Sequence, residues 1–418
     1  MNYIIIGNSA SGIAAIEAIR KHDKKNPIMV ISDEPYASYS RPLISYLLGK
    51  KVMPERMSYR EKSFYEDNQV KLFLDTKAID LDLSKKEIIL ADEQRVHFDK
   101  LLIAAGGKPI NLGVPGSDLD GVFTFLKLSD EEKIEKYIEV NKVKEAVVVG
   151  GGLIGLKTTE ALIELKIKVT IIELADRILS SSFDKKASVI IEEALRKRDC
   201  RLLTRNTIKE IYEKGDGKKE IVLANQERIS TDLIISAIGV RPNVALTRNT
   251  PIQVNKGILV DEFMQTNIED IYAAGDCCEA KDLISMKNRP IAIWPVAFQQ
   301  GKIAGFNMAG VKKEYQGSFI MNSVELCGIP TISMGESCSS AEECQILEDF
   351  NGEKSSYKKI VLQDNKIIGA IFVNHIERAG IYAGLIRNKI DVSHLKKYLL
   401  EEDFGLINLP KSYRKSIL

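Results

Sequence analysis

Two long stretches of the chain repeat one succession of apolar and polar positions. Apolar runs at Tyr3–Ile6 and at 146–149 read as buried strands, each entering a glycine-rich turn and then a segment of helical spacing. A second apolar run comes after each, at Ile28–Ile31 and at 169–172. The first stretch continues with alternating strands at 70–74, 78–83 and 86–90. Each stretch closes on a buried strand, 101–104 or 233–238, and leaves through glycine and proline. One exit reads Ala105-Gly106-Gly107-Lys108-Pro109, the other Gly239-Val240-Arg241-Pro242. Strands alternating with helices predict parallel sheets, and the recurrence predicts an internal repeat of one architecture.

The C-terminal part has a different rhythm. Strands alternate at 357–362 and 366–373, helical spacing is expected at 379–388 and 392–400, and no glycine loop occurs. The expected fold class is α/β: two Rossmann-like dinucleotide-binding domains with a smaller C-terminal α+β domain.

The two glycine loops bring the chemistry. They read Gly7-Asn8-Ser9-Ala10-Ser11-Gly12 and Gly150-Gly151-Gly152-Leu153-Ile154-Gly155. Glycines there permit a tight turn and close approach of backbone to a pyrophosphate, whose charge faces the positive end of the following helix. The strand after each loop delivers a carboxylate, Asp33 or Glu173, that can accept hydrogen bonds from ribose hydroxyls. Ser9 stands where the second loop has its middle glycine, Gly152. Two such units in one chain imply two dinucleotides and electron transfer between them.

Composition narrows the setting. With 418 residues the chain has room for two or three domains, and Lys+Arg 59 against Asp+Glu 58 gives no bulk attraction to nucleic acid or an anionic membrane. Local basic clusters, at 22–25, 50–51, 312–313 and 396–397, are candidates for docking an acidic protein. A cytoplasmic protein is expected, since no leader-like or membrane-spanning apolar run is present. The six cysteines, Cys200, Cys277, Cys278, Cys327, Cys338 and Cys344, form neither a C-x-x-C pair nor a zinc pattern, so no metal is expected. His22, His97, His375 and His394 lie outside the motifs and are expected to be surface or core residues.

As a set, the loops, the two exits and the segment 266–276 resemble the FAD/NAD(P)-dependent pyridine nucleotide–disulfide oxidoreductase superfamily. The resemblance implies an FAD-binding domain over residues 1–111 and 242–316, an NAD-binding domain over 112–241 and an interface domain over 317–418. For FAD it implies Gly7, Ser9, Ala10, Ser11 and Gly12 at the pyrophosphate and Asp33 at the ribose. Ala78 would read the adenine through its backbone, Ala105 and Gly106 would line the first exit, and Gly275 and Asp276 would hold the ribityl chain. The start of the helix at 294–297, with Ala297, would stabilise negative charge at the flavin pyrimidine. For NADH it implies Gly150, Gly152, Leu153, Ile154 and Gly155, with Glu173 at the ribose and Gly239 at the second exit. Glu173 favours NADH over NADPH, and Arg177 four residues on softens that preference.

The branch is set by the residues after the second strand. Disulfide reductases and thiol-dependent oxidases carry cysteine near here; this chain reads Tyr39-Ser40-Arg41-Pro42, and its first cysteine is Cys200. The pattern resembles NADH–rubredoxin reductases, ferredoxin reductases and the flavin region of nitrite reductases, a branch without the redox-active cysteine. There, the residue matching Arg41 contacts the FAD pyrophosphate beside Pro42. The branch also pairs a lysine and a glutamate near flavin N5, at positions occupied here by Tyr46 and Lys157. Lys157 is therefore a candidate catalytic cation near the nicotinamide or N5, or else a helix-surface partner of Glu160. The expected activity is transfer of electrons from NADH through FAD to an iron–sulfur or rubredoxin-type protein. Alternatives are a peroxide-forming NADH oxidase, or a redox-sensing or reductase subunit of a larger electron-transfer complex. A homodimer is also possible on the sequence.

Overall fold

A computed structural model describes residues 1–215, 217–338, 344–411 and 413–414. The described helices are α1 (Ala10–His22), α2 (Ile44–Leu48), α3 (Phe64–Asp67), α4 (Leu128–Asn141), α5 (Leu153–Glu164), α6 (Lys185–Arg196), α7 (Trp294–Met308) and α8 (Ala379–Arg387). Contacts divide the chain into two compact units. The first comprises Met1–Pro42, Met53–Lys108 and Val240–Phe319; the second comprises Leu43–Val52, Pro109–Gly239 and Ile320–Leu418.

The first unit is built on a five-stranded sheet ordered Ile271–Ala273, Lys100–Ile103, Tyr3–Ile6, Ile28–Ile31, Val70–Phe73. Every adjacent pair is parallel, with Ile5 opposite Val30 on one side and Leu102 on the other. Tyr3–Ile6 is buried on both faces, as an unbroken apolar strand in a covered parallel sheet requires. Ile13, Ile16 and Ile19 of α1 pack into the same core, one helical turn apart. Helices α1 and α7 touch backbone to backbone: a Cβ on Gly301 would strike the Ser11 carbonyl, and one on Gly305 would lie 2.6 Å from the Ala15 carbonyl oxygen. At the end of α1 the buried Arg20 donates to the carbonyls of Asn68, Asp23, Asn26 and Gln69, so one guanidinium ties the helix to two loops.

The second unit repeats the plan. Its parallel sheet runs Arg201–Leu203, Lys168–Ile172, Glu145–Val149, Leu233–Ser236, Val122–Thr124. The repeat extends further than the apolar runs indicate, because each unit adds a three-stranded antiparallel meander. These are Ala78–Asp82, Glu87–Leu90, Arg95–His97 in one and Ile208–Glu213, Lys219–Leu223, Arg228–Thr231 in the other. Val70–Phe73 joins the parallel sheet rather than the meander.

The second unit also holds an antiparallel sheet ordered Met321–Leu326, Ile329–Gly335, Lys366–Val373, Ser356–Gln363, Gln345–Asn351, with α8 against it. The helix expected at 392–400 is absent: the segment makes turns and a 3-10 turn at Lys396–Tyr398. Val392, Leu395 and Leu399 are buried nonetheless. Their spacing fits an apolar helical face, but the Lys366–Asp391 bridge starts the segment on the sheet and the turns suffice to bury those side chains. Asp184 caps α6 by accepting from Ala187 N, and its other oxygen accepts from the Tyr357 hydroxyl at 2.7 Å and faces Lys359 at 3.1 Å. One half-buried carboxylate thus fastens α6 to the C-terminal sheet. Expectations for residues 415–418 lie outside the described residues.

Candidate dinucleotide sites

In the first unit the loop between Tyr3–Ile6 and α1 is built by steric exclusion. Gly7 has φ +115°, and a side chain there would strike the Ala104 carbonyl; a Cβ on Gly12 would strike the Gly7 carbonyl. Ser9 occupies the N-cap of α1 in extended conformation without a side-chain capping bond, and no acid lies in the first turn. The N–H groups that a capping side chain would occupy are therefore left for an anion. The middle position explains the serine: Gly152, its counterpart, has negative φ and open space at its Cβ, so a Cβ at this place costs nothing. Ala10 and Ser11 are buried beneath the loop.

Asp33 is exposed beyond the strand end. Its neighbour Glu34, which the sequence pattern does not single out, receives Arg41 in an ion pair at 2.8 Å and the Tyr39 hydroxyl at 2.8 Å. Arg41 also lies over the Tyr39 ring at 5.1 Å. Burial works against the guanidinium charge, but Tyr39, Glu34 and Asp276 outweigh it and raise the Arg41 pKa. Asp276 is pushed the other way: burial raises its carboxyl pKa, against the pull of Arg41. Pro42 comes next, exposed, in a 3-10 turn.

Around these residues, Gly275 has φ +83° and donates its N–H to Gln300 Oε1 at 2.9 Å; a Cβ there would lie 2.5 Å from Ser11 Oγ. Asn243 ties the first exit, its side chain donating to the Ala105 carbonyl and its N–H to the Gly106 carbonyl. Gly106 has φ +65° with open space at its Cβ. Ala78 opens the first meander opposite Leu90. Helix α7 begins three residues before Ala297, with Pro295 in its first turn and no acid or side-chain cap. The Ala297 N–H is donated to the Ile293 carbonyl at 3.0 Å, so this terminus offers its dipole rather than that N–H. Trp294 packs edge-on to Tyr59 at 5.0 Å. The glycine turns, uncapped helix starts and half-buried Arg41 fit an FAD pyrophosphate and flavin.

The second unit repeats the cradle. Gly150 has φ +105°, with a Cβ placed 2.5 Å from the Ala237 carbonyl oxygen, and a Cβ on Gly155 would strike the Gly150 carbonyl. Gly152 is the N-cap of α5, uncapped, with Leu153 and Ile154 in the first turn. Glu173 braces the loop: it accepts from Gly151 N at 2.5 Å and Ala175 N at 2.7 Å. Gly239, at φ +121°, receives the Ile110 N–H on its carbonyl. Arg177 is held by Asp176 and the carbonyls of Phe183 and Ser180.

Lys157, on α5, forms an ion pair with Glu160, donates to the Glu325 carbonyl at 3.2 Å and lies 4.5 Å from the Tyr46 ring centroid. Burial opposes its charge, and Glu160 and Tyr46 reverse that, raising its pKa. The other Glu160 oxygen accepts from Cys327 N at 2.5 Å. Of the two roles open to Lys157, the geometry displays the pairing with Glu160, with Tyr46 as a second partner. Ser45, Tyr46, Lys51, Lys157, Glu160 and Glu164 line one small pocket here.

Within the first unit the cysteines are Cys277 and Cys278, both buried. Burial pushes Cys277 up to about 11 and Cys278 well above the ordinary thiol value. Cys277 Sγ lies 3.3 Å from the carbonyls of Ile103 and Ala274.

Two α/β units, each with a glycine loop, an uncapped helix start and an acid-bearing strand end, define a two-dinucleotide flavoprotein. Residues 1–301 match the pyridine nucleotide-disulphide oxidoreductase family, and the chain belongs to it. Residues 321–390 match the rubredoxin NAD+ reductase C-terminal domain. The chain is 32% identical over 401 residues to the NADH-dependent phenylglyoxylate dehydrogenase subunit epsilon of Aromatoleum evansii, covering 94% of this chain and 93% of that one. It is 30% identical over 399 residues to nitrite reductase [NAD(P)H] of Bacillus subtilis (strain 168), covering 94% of this chain but 48% of that protein. The chain thus spans about half the length of that relative. A solved NAD-dependent persulfide reductase from A. fulgidus superposes with a TM-score of 0.88 at 25% identity, covering 95% of this chain and 79% of that one. Family members bind FAD and NADH, the cofactors assigned to these two cradles. Among the described residues no helix is long and apolar enough to cross a membrane.

Proposed function

We propose that the chain is an FAD-dependent NADH:acceptor oxidoreductase that delivers electrons to a small iron–sulfur or rubredoxin-type protein. The observation that carries this reading is the absence of a usable thiol in the FAD unit. Pro42 stands at the family's cysteine slot, and Cys277 and Cys278 are buried and held protonated. Within the FAD unit a disulfide relay has no residue to run through. Bound FAD accepts hydride and releases electrons singly. The protein then has to position the partners: Gly150–Gly155 and Glu173 for NADH, Gly7–Gly12, Arg41 and Asp276 for FAD. The match of residues 321–390 to a rubredoxin reductase domain supports the acceptor class. Glu173 supports NADH over NADPH, because Arg177 is already engaged by Asp176 and two carbonyls.

A second reading, a reductase subunit of a larger electron-transfer complex, is favoured by the near full-length likeness to a subunit epsilon. A steady-state screen of NADH against purified iron–sulfur carriers and oxygen, at low and high salt, separates the readings. Rapid reduction of a carrier that falls with salt supports the main one. Oxygen uptake matching NADH oxidation, with peroxide formed, points to an oxidase. Slow turnover with every free carrier, together with an iron–sulfur protein retained through purification, points to the complex.

A further inference from the structure

Two of the segments that form the FAD cradle in the first unit are joined by a side chain from another element. One is the glycine loop, residues 7–12; the other, residues 33–41, carries Asp33 and Arg41. One hydroxyl bonds to both. Tyr65, on α3, accepts the Ser38 N–H at 3.0 Å and donates to Asn8 Oδ1 at 2.7 Å. Asn8 lies between Gly7 and Ser9, and its Nδ2 is buried with no protein partner among the described residues, so the Tyr65 bond orients this amide. Ser38 is 5% exposed and anchors its segment: its carbonyl accepts from Tyr59 N, and three residues later the chain delivers Arg41. Burial raises the Tyr65 pKa above the ordinary phenol value, so the hydroxyl is a donor at neutral pH.

We propose that Tyr65 is a positioning residue for FAD: its hydroxyl holds the glycine loop and the Arg41 segment at the spacing that receives the cofactor's pyrophosphate. The hydroxyl's bonds are to Asn8, beside Gly7, and to Ser38, three residues before Arg41. Tyr65 acts through Asn8 and Ser38, and a shift of the loop degrades every backbone contact to the phosphates together.

The test is Tyr65→Phe, which keeps the ring packed edge-on to Phe64 and deletes the hydroxyl. Tyr3→Phe is the control, since it deletes one hydrogen bond, to Asp23 at 2.8 Å, at the start of the first strand and the C-terminal end of α1, the ends of both elements opposite to the glycine loop. Apoprotein is titrated with FAD calorimetrically, well below the melting temperature of each variant. Tyr65→Phe, which deletes both hydroxyl bonds, is expected to bind FAD roughly tenfold more weakly. Tyr3→Phe is expected to lose thermal stability but keep wild-type FAD affinity. FAD binding by Tyr65→Phe equal to wild type overturns the proposal, as does equal weakening by Tyr3→Phe. Failure of the wild-type apoprotein to bind FAD would overturn the cofactor assignment itself, a distinct result.

Discussion

Lys157 Nζ lies 4.5 Å from the centroid of the Tyr46 ring while the same ammonium pairs with Glu160. Lys157 on α5 thus has its counter-ion one helical turn on, with the Tyr46 ring of α2 beside it. The pair is largely shielded, with side-chain exposures of 18% and 9%. Removing the lysine strands the glutamate. Lys157→Ala is expected to lower stability by about 2–3 kcal/mol, and Lys157→Met/Glu160→Gln to recover most of that. The flavin reduction rate is expected to change by less than about threefold, far short of the factor a group acting on transferred charge contributes. A larger fall in a stopped-flow trace, with unchanged NADH affinity, would place Lys157 at the nicotinamide.

Glu131 on α4 is 1% exposed, and one of its carboxylate oxygens is buried without a protein partner. Burial raises its pKa to about 7, against the pull of Lys50. An acid with a raised folded-state pKa contributes its full stability below the unfolded value and loses it as pH rises toward the folded one. Glu131→Gln should therefore match wild type in urea melts below about pH 4.5 and exceed it by up to about 3 kcal/mol at pH 8. Parallel curves at both pH values would refute this.

The glycine loops make opposite predictions at neighbouring positions. Gly12→Ala and Gly155→Ala each drive a methyl into a carbonyl of their own loop. Both should lower the melting temperature, and Gly12→Ala should purify depleted of FAD. Gly152→Ala meets open space and should melt like wild type, while raising the KM for NADH because the methyl stands where the pyrophosphate approaches. Ser9→Gly should change FAD affinity by less than about threefold, since the position already accepts a Cβ.

Glu173, whose carboxylate braces its loop through two backbone N–H groups, is the residue proposed to set coenzyme choice. Glu173→Ala is expected to raise the KM for NADH about tenfold and to shift the NADH/NADPH ratio of kcat/KM toward NADPH by a similar factor. An unchanged ratio would remove Glu173 from the specificity determinants.

Legibility from the chain differed by kind of residue. The loop glycines are readable because their constraint is local: Gly7 and Gly12, or Gly150 and Gly155, meet within one turn of backbone. Glu34 is harder, since Asp33 beside it satisfies the same spacing and only the partner Arg41 tells them apart. Tyr65 carries no motif at all, because its role depends on Asn8, 57 positions away. The segment 392–400 misled for the converse reason: its apolar spacing is helical, but contacts with the sheet satisfy it without a helix.

By itself the sequence determined the class of protein: two parallel-sheet units with two dinucleotide loops, an acid after each, and Arg41-Pro42 where a thiol relay would begin. Those features are written in short runs of residues, where backbone sterics and apolar periodicity act directly. Tertiary structure alone decided that residues 43–52 are built into the second unit, that Lys157 pairs with Glu160 and meets Tyr46, and that Tyr65 joins two segments of the FAD cradle. These are contacts whose energy depends on burial and on the partner's position. Neither is set until the distant strands and helices have packed.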